Sequence, residues 1–364
     1  MSYHRAWQAI HLQPTAGLAQ QENLDHPAFI AECIGRDPWD DPQQAYIDAY
    51  RALDVDWVLG IPRGGVSRDA FAQASSVDLG DGARMTEWGL SGSYWREEHP
   101  FADVEAVLRY DPLENVPHLP YATVESGVRN LENVRETQAL LGRGSLTRSS
   151  EGGAGAMVSV MRYPTLFTAC IQAFGWPLFM TAAAAEPERF APILRGFAEI
   201  SRRILAEWAA QSWPLILVHD DIAMQHGLVF RPQWYREQIY PLYEHILEPA
   251  LANPDVRVCF VSDGDYSAAL PDLVSLGFHG FFVNPNMDLA ALARTYGRDH
   301  FLVGNVDTAV LTFGRPDDIR QHVAQCVEAA KPCAGHFIKA MGDLPHNIPL
   351  ENIRAYFDAC ARYR

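Results

Sequence analysis

Three observations predict an α/β fold, specifically a closed (β/α)8 (TIM) barrel with an N-terminal extension and an irregular β-hairpin excursion. From Trp213 onward, short β-branched and aromatic runs alternate with helical segments. At least two strand-like runs precede them, which brings the strand count close to eight. Polar residues gather behind nearly every strand. Such alternation implies a parallel sheet covered by helices, and a count near eight favours closure over an open sheet. A chain of 364 residues has room for two domains or one large barrel, and the steady alternation favours a single domain over 1–364.

Taken in order, residues 1–45 contain turn-prone stretches such as Gln13-Pro14-Thr15-Ala16-Gly17 and Asp37-Pro38-Trp39-Asp40-Asp41-Pro42, and read as a preamble with at most short helices. Residues 43–53 have helical apolar spacing, and Val55 to Ile61 form a strand-like run ending in Pro62-Arg63-Gly64-Gly65. Periodicity fades over 77–125, around Trp88-Gly89, Ser93-Tyr94-Trp95 and Asp111-Pro112, so hairpins over one face are expected there. The small, polar stretch 143–156 is expected to be a flexible loop. A strand over 157–161 and helices over 163–174 and 187–211 follow. Strands are then predicted at 214–219, 256–261, 280–283, 301–304 and 335–339, with helices near 232–252, 267–276, 287–296, 316–331 and 349–362.

Composition narrows the partners. A net charge of -16, from 45 acidic and 29 basic residues, with no Lys/Arg run, argues against nucleic acid and anionic membrane surfaces. Only Lys331 and Lys339 are lysines, the remaining basic residues being arginine. A lone lysine near a strand end has the chemistry of a Schiff-base nucleophile, but Lys339 is expected to point outward or to pair with a carboxylate. Cys33, Cys170, Cys259, Cys326, Cys333 and Cys360 are scattered without a Cys-x-x-Cys pair, as in reduced thiols. No apolar signal core opens the sequence and no run approaches the ~18 apolar residues of a membrane span, so the expected compartment is the cytoplasm.

Barrel active sites form where strands end. Behind the predicted strands stand His219-Asp220-Asp221, then Ser262-Asp263-Gly264-Asp265, then Asn284-Pro285-Asn286, then Asn305-Val306-Asp307, and finally Met341-Gly342-Asp343-Leu344-Pro345-His346-Asn347. Any one of these residues is more often a helix cap, since Asp, Asn and Ser satisfy free backbone N–H groups at such junctions. Several acids sharing one mouth repel each other unless a cation, an arginine or a substrate compensates, which favours a functional site. The expected catalytic residues are Asp221, Asp263, Asp265 and His346, with His346 placed for proton transfer or metal ligation. His219 is more commonly a buried strand-end histidine. Trp88, Tyr94, Trp95 and Tyr266 either wall the pocket or pack locally.

The order of these motifs is similar to that of the uroporphyrinogen decarboxylase superfamily. The segment His219-Asp220-Asp221, with Gly227-Leu228, Pro232, Tyr235-Arg236 and Pro241, resembles that family's "D-D, G-L, S-P-E-x-Y-R, P" stretch. Ser262-Asp263-Gly264-Asp265 with Leu270-Pro271-Asp272-Leu273 and Gly277 resembles "H-S-D-G-N, L-P-D-L-x-x-x-G". Gly304-Asn305-Val306-Asp307 and Pro349-Leu350-Glu351-Asn352 resemble "G-N-V-D" and "P-x-E-N". The match runs over roughly 157–364, and the resemblance implies a barrel with its cleft at the strand C-termini.

Two activities are implied by that resemblance: decarboxylation of uroporphyrinogen, and methyl transfer to or from a corrinoid protein. The arginine-rich "R-Q-A-G-R-Y" element of the decarboxylases is absent, Arg63 and Arg68 being equivalents in type only. The zinc-dependent methyltransferases use His-x-Cys and a later Cys, where this chain has Val261, Asp263 and the neighbourhood of Gly342. The leading expectation is a methyltransferase that moves a methyl group between a small methylated substrate and a corrinoid carried by a partner protein. The alternatives are a decarboxylase or lyase, with Arg63 or Arg162 holding a carboxylate, and a non-catalytic binding relative. A divalent metal on Asp221, Asp263, Asp265 and His346 stays open as an expectation. Expected substrate contacts are Arg63, Trp88, Tyr94, Arg162, His219, Asp220, Tyr266, Asn284, Asn305, Asp307 and Met341. A homodimer is implied by the resemblance alone.

Overall fold

The computed structural model describes residues 1–62, 68, 75–78, 84–88, 93–96, 99–114, 123–142 and 155–364. Eight parallel staves form the barrel: β1 (Ala19–Gln20), β2 (Trp57–Val58), β3 (Met157–Val158, continued by Val160–Arg162), β4 (Leu215–His219), β5 (Arg257–Val261), β6 (Gly280–Val283), β7 (Phe301–Gly304) and β8 (His336–Ile338). From β3 to β8 each pairs with the next, and β8 pairs with β1. A single bridge from Gln21 to Trp57 and the β2–β3 pairing complete the ring. The predicted barrel is the observed one.

Strand β4 shows why these runs become staves. Leu215 and Leu217 pack inside the barrel with Trp57, Phe282, Phe301 and Phe337, while Ile216 and Val218 pack outward beneath the helices. A strand buried on both faces must be apolar throughout, and each fully buried large side chain contributes about 1.5–3 kcal/mol. The helix Tyr3–Ile10 plugs the N-terminal end of the barrel with Tyr3, Ala6, Ala9 and Ile10. It approaches so closely that a Cβ at Gly335 would lie 2.1 Å from the Ala9 carbonyl, so only glycine fits there.

The first 45 residues do more than precede the barrel, because they supply that plug and the stave β1. Ala19–Gln20 has no β-branched residue, and it is a strand because β8 offers it a parallel edge. The excursion contains a three-stranded antiparallel sheet of Ser75–Asp78, Arg84–Trp88 and Ser93–Arg96. Of the expected loop 143–156, residues 143–154 lie outside the described residues. The helix Val124–Leu141 had no counterpart in the sequence reading, and the one expected over 232–252 divides into Pro232–Gln238 and Tyr240–Leu251. Helix Phe167–Ala185 is long and apolar enough to cross a membrane by length and composition, contrary to the sequence expectation, but 67% of its apolar window is buried inside the protein. It is a core helix.

Candidate active site

The barrel register decides which side chains meet at the mouth. Val218 stands beside Arg162 and His219 beside Val261, so the next residues out bring Tyr163 to His219 and Asp263 to Asp221. The contacts bear this out: the Tyr163 and His219 rings lie 4.6 Å apart, and the Asp263 amide donates to Asp221 Oδ1 at 3.1 Å. Extending the same register, Asn284, Asn305 and Lys339 continue the row around the rim.

At its centre, His219 Nε2 meets Asp221 Oδ1 at 3.0 Å. Facing a carboxylate, that nitrogen must carry the proton. Asp221 is held further by Thr168, whose hydroxyl accepts the Asp221 amide at 2.6 Å and faces its carboxylate at 3.5 Å. Burial opposes ionisation of Asp221, but the His219 charge and hydrogen bond outweigh it, and the carboxyl sits below the usual range. Burial likewise disfavours a charged His219, yet Asp221 and the other nearby carboxylates raise its pKa.

Asp263 goes the opposite way. Its side chain opens to the water of the cleft, yet the barrel walls still cost its charge solvation, and repulsion from Asp221 adds to that cost. His219 and Lys339 offset this only in part, so its pKa is raised. Two adjacent aspartates are thereby driven apart, one kept ionised and one inclined to hold a proton. A hairpin of Ala223–Met224 and Gly227–Leu228 rims this corner. Gly264 lets it close: φ is +79°, and a Cβ would lie 2.5 Å from the Met224 carbonyl.

On the far side, Lys339 is 3% exposed and donates from Nζ to the Gly342 carbonyl at 2.9 Å. Burial lowers its pKa against the pull of Glu22, Asp343 and Asp263. Glu22 is fully buried and accepts hydrogen bonds from the Tyr356 hydroxyl and, at 3.1 Å, the Gln20 amide. Burial still pushes its carboxyl up to about 7.

Several expected site residues have other tasks. Asp220 is buried and accepts the N–H groups of Leu166, Phe167 and Thr168 at 3.2, 2.8 and 2.6 Å and the Tyr243 hydroxyl at 2.7 Å, so it caps the helix Phe167–Ala185. Asp265 accepts the Ser267 amide in a local turn, and Asp307 caps the helix Thr308–Phe313 through Ala309. Tyr266 is buried in the outer core with its hydroxyl on the Phe282 carbonyl, so it walls no pocket. Arg162 follows the outward alternation of β3, and its Nε donates to Ser201 at 3.0 Å behind the barrel. His346 is exposed in the turn before the last helix, beside His26 rather than His219.

Asn284 and Asn305 are buried and brace the rim. The Asn284 amide donates to the Ser262 and Gly264 carbonyls at 2.7 and 2.9 Å, and that of Asn305 to the Asn284 carbonyl at 3.3 Å. Met341 packs against the interior cluster at the mouth. Arg63 lies outside the described residues, as do the side chains of Trp88, Tyr94 and Trp95. Sequence reading missed Tyr163, Thr168, Glu22 and the inward turn of Lys339. Strand alternation from Phe337 signalled the last of these.

The residues present do not fit a thiolate zinc centre. Val261 is apolar, Cys259 is sealed in the barrel interior, and among the described residues no three His, Cys, Asp or Glu side chains gather as a metal-holding group. The hard-ion set Asp221, Asp263, Asp265 and His346 does not assemble either.

A closed barrel with titratable groups gathered at the strand C-termini has the architecture of a (β/α)8-barrel enzyme. Residues 128–363 match the family model described as uroporphyrinogen decarboxylase (URO-D), and the chain belongs to that family. Among solved structures it is similar to a methyltransferase from Methanosarcina mazei, with TM-score 0.64 and 16% identity over 99% of this chain and 98% of that one. That likeness speaks for the fold. A xylose isomerase-like TIM barrel protein from Mycobacterium smegmatis covers 98% of this chain and 99% of its own at 11% identity, with TM-score 0.36. No curated protein matches in sequence.

Proposed function

We propose that this family member transfers a methyl group from a small methylated substrate to a corrinoid carried by a separate protein, with the barrel mouth supplying the proton that the leaving heteroatom needs. The observation that carries the reading is the pairing of a depressed Asp221 with a raised Asp263 beside His219. A methyl group bound to oxygen or nitrogen leaves poorly as an anion, so a positioned acid lowers the barrier, a contribution typically of about 10²–10⁴-fold. Asp263, open to the cleft, is the acid. Asp221 stays ionised, fixes the His219 ring, and keeps Asp263 inclined to hold its proton. The reduced corrinoid would supply the nucleophile for the methyl carbon. The similarity to a methyltransferase along the whole chain adds support.

The test is methyl transfer from methanol-, methylamine- and methoxyarene-type donors to a reduced corrinoid protein. Asp263→Asn is expected to lower kcat by about 10²-fold or more with little change in stability. Unchanged turnover in that variant would remove the acid role. A second reading, loss of a carboxyl group from a small organic acid, is favoured by one observation: Lys339 faces the mouth, where methyl transfer gives it no task.

A further inference from the structure

The two lysines of the chain differ in every respect. Lys331 is exposed and pairs with Glu328. Lys339 is 3% exposed on β8, where Phe337 packs into the barrel interior and Ile338 packs outward, so alternation aims Lys339 at the axis. Its Nζ donates to the Gly342 carbonyl at 2.9 Å, and among the described residues it forms no ion pair. Glu22, Asp343 and Asp263 act on it from longer range. A buried ammonium without a direct counter-ion is costly, and losing its proton frees a lone pair in the mouth. The surrounding carboxylates would repel a second anion, so the group best accommodated there is an uncharged one.

We propose that Lys339 is a carbonyl-capturing amine, which condenses with the keto or aldehyde group of a small ligand in the mouth to form a Schiff base. The Nζ lone pair attacks the carbonyl carbon and a C–N bond forms. The carbonyl π pair moves to oxygen, which takes the proton of Asp263. The nitrogen passes one proton to a neighbouring carboxylate, and that proton goes on to the carbinolamine hydroxyl. Water leaves as the nitrogen pair closes the C=N bond. The net change is amine, carbonyl and one proton giving iminium and water, with nothing oxidised or reduced. The proposal shares the acid Asp263 with the methyl-transfer reading but not its reaction, and because its test needs no turnover, capture at Lys339 and methyl transfer are read out separately.

The experiment is reductive trapping on the full chain with a small uncharged carbonyl compound, propionaldehyde or acetone, and cyanoborohydride at neutral pH, followed by peptide mapping. With two lysines, assignment is unambiguous, and Lys331 serves as the internal control. Lys339 is expected to be trapped at least about tenfold faster than Lys331, and Asp263→Asn to slow trapping at Lys339 alone. Lys339 left unmodified while Lys331 reacts, or trapped no faster than Lys331, overturns the proposal. So does an Asp263→Asn variant that traps as fast as the parent.

Discussion

Asp220, Asp221 and Asp263 occupy one corner of the barrel and do three different things because their donors differ. Asp220 takes three backbone N–H groups and a phenol and faces no water, so Asp220→Ala leaves a helix end and Tyr243 unpaired. That change is expected to cost about 2–4 kcal/mol in denaturant unfolding, whereas Asp263→Ala should stay within about 0.5 kcal/mol. Glu22 makes a pH prediction. Its folded pKa of about 7 lies above the ordinary 4.5, so the folded state holds the proton more tightly. Its contribution is therefore full below the ordinary value and is lost as pH rises through the folded one. Relative to Glu22→Gln, the parent should lose up to about 3 kcal/mol across that window, measured as unfolding free energy against pH. A parallel pH dependence in the two proteins would contradict it. Asp221 and Asp263 stood among the expected catalytic residues, but the capping by Asp220 and the buried place of Glu22 were not legible residue by residue. An aspartate after a strand reads alike as cap and as acid, and only the position of the helix Phe167–Ala185 tells Asp220 from Asp221.

Among the elements, β4 to β8 were legible to within a residue or so, because staves buried on both faces need unbroken apolar runs. The short stave β1 was not: two residues long, it owes its conformation to the edge beside it, whereas β2 lies within the strand-like run expected over Val55 to Ile61. The division of the expected 232–252 helix at Ile239 was equally invisible, since its apolar spacing continues across the break. The loop of Asp263 rests on Gly264, at φ +79° and against the Met224 carbonyl. Gly264→Ala is expected to destabilise by about 1–3 kcal/mol and to impair turnover by displacing Asp263. Full stability and activity in that variant would show that the hairpin does not set the acid's position.

At the scale of the whole molecule, the fold depends on a closure at each end of the barrel. Below, buried Asp56 accepts Arg5 Nη1 at 3.1 and 3.0 Å and Arg364 Nη2 at 2.8 Å, joining residues from both ends of the sequence. Arg364→Ala should cost about 3 kcal/mol in thermal or denaturant unfolding, because it leaves a buried carboxylate half compensated. Above, the register sets Asp221, Asp263, Asn284, Asn305 and Lys339 in one row, with His219 a layer below it beside Val261. The central claim is that this row sets two neighbouring aspartates apart, Asp221 held below and Asp263 above the ordinary carboxyl range. Carbon-13 titration of the aspartate carboxyls, assigned with Asp221→Asn and Asp263→Asn, tests it without a substrate. Asp221 is expected to titrate below, and Asp263 above, the ordinary aspartate value of about 3.9. Both carboxyls titrating together near that value, or in the reverse order, would contradict the account.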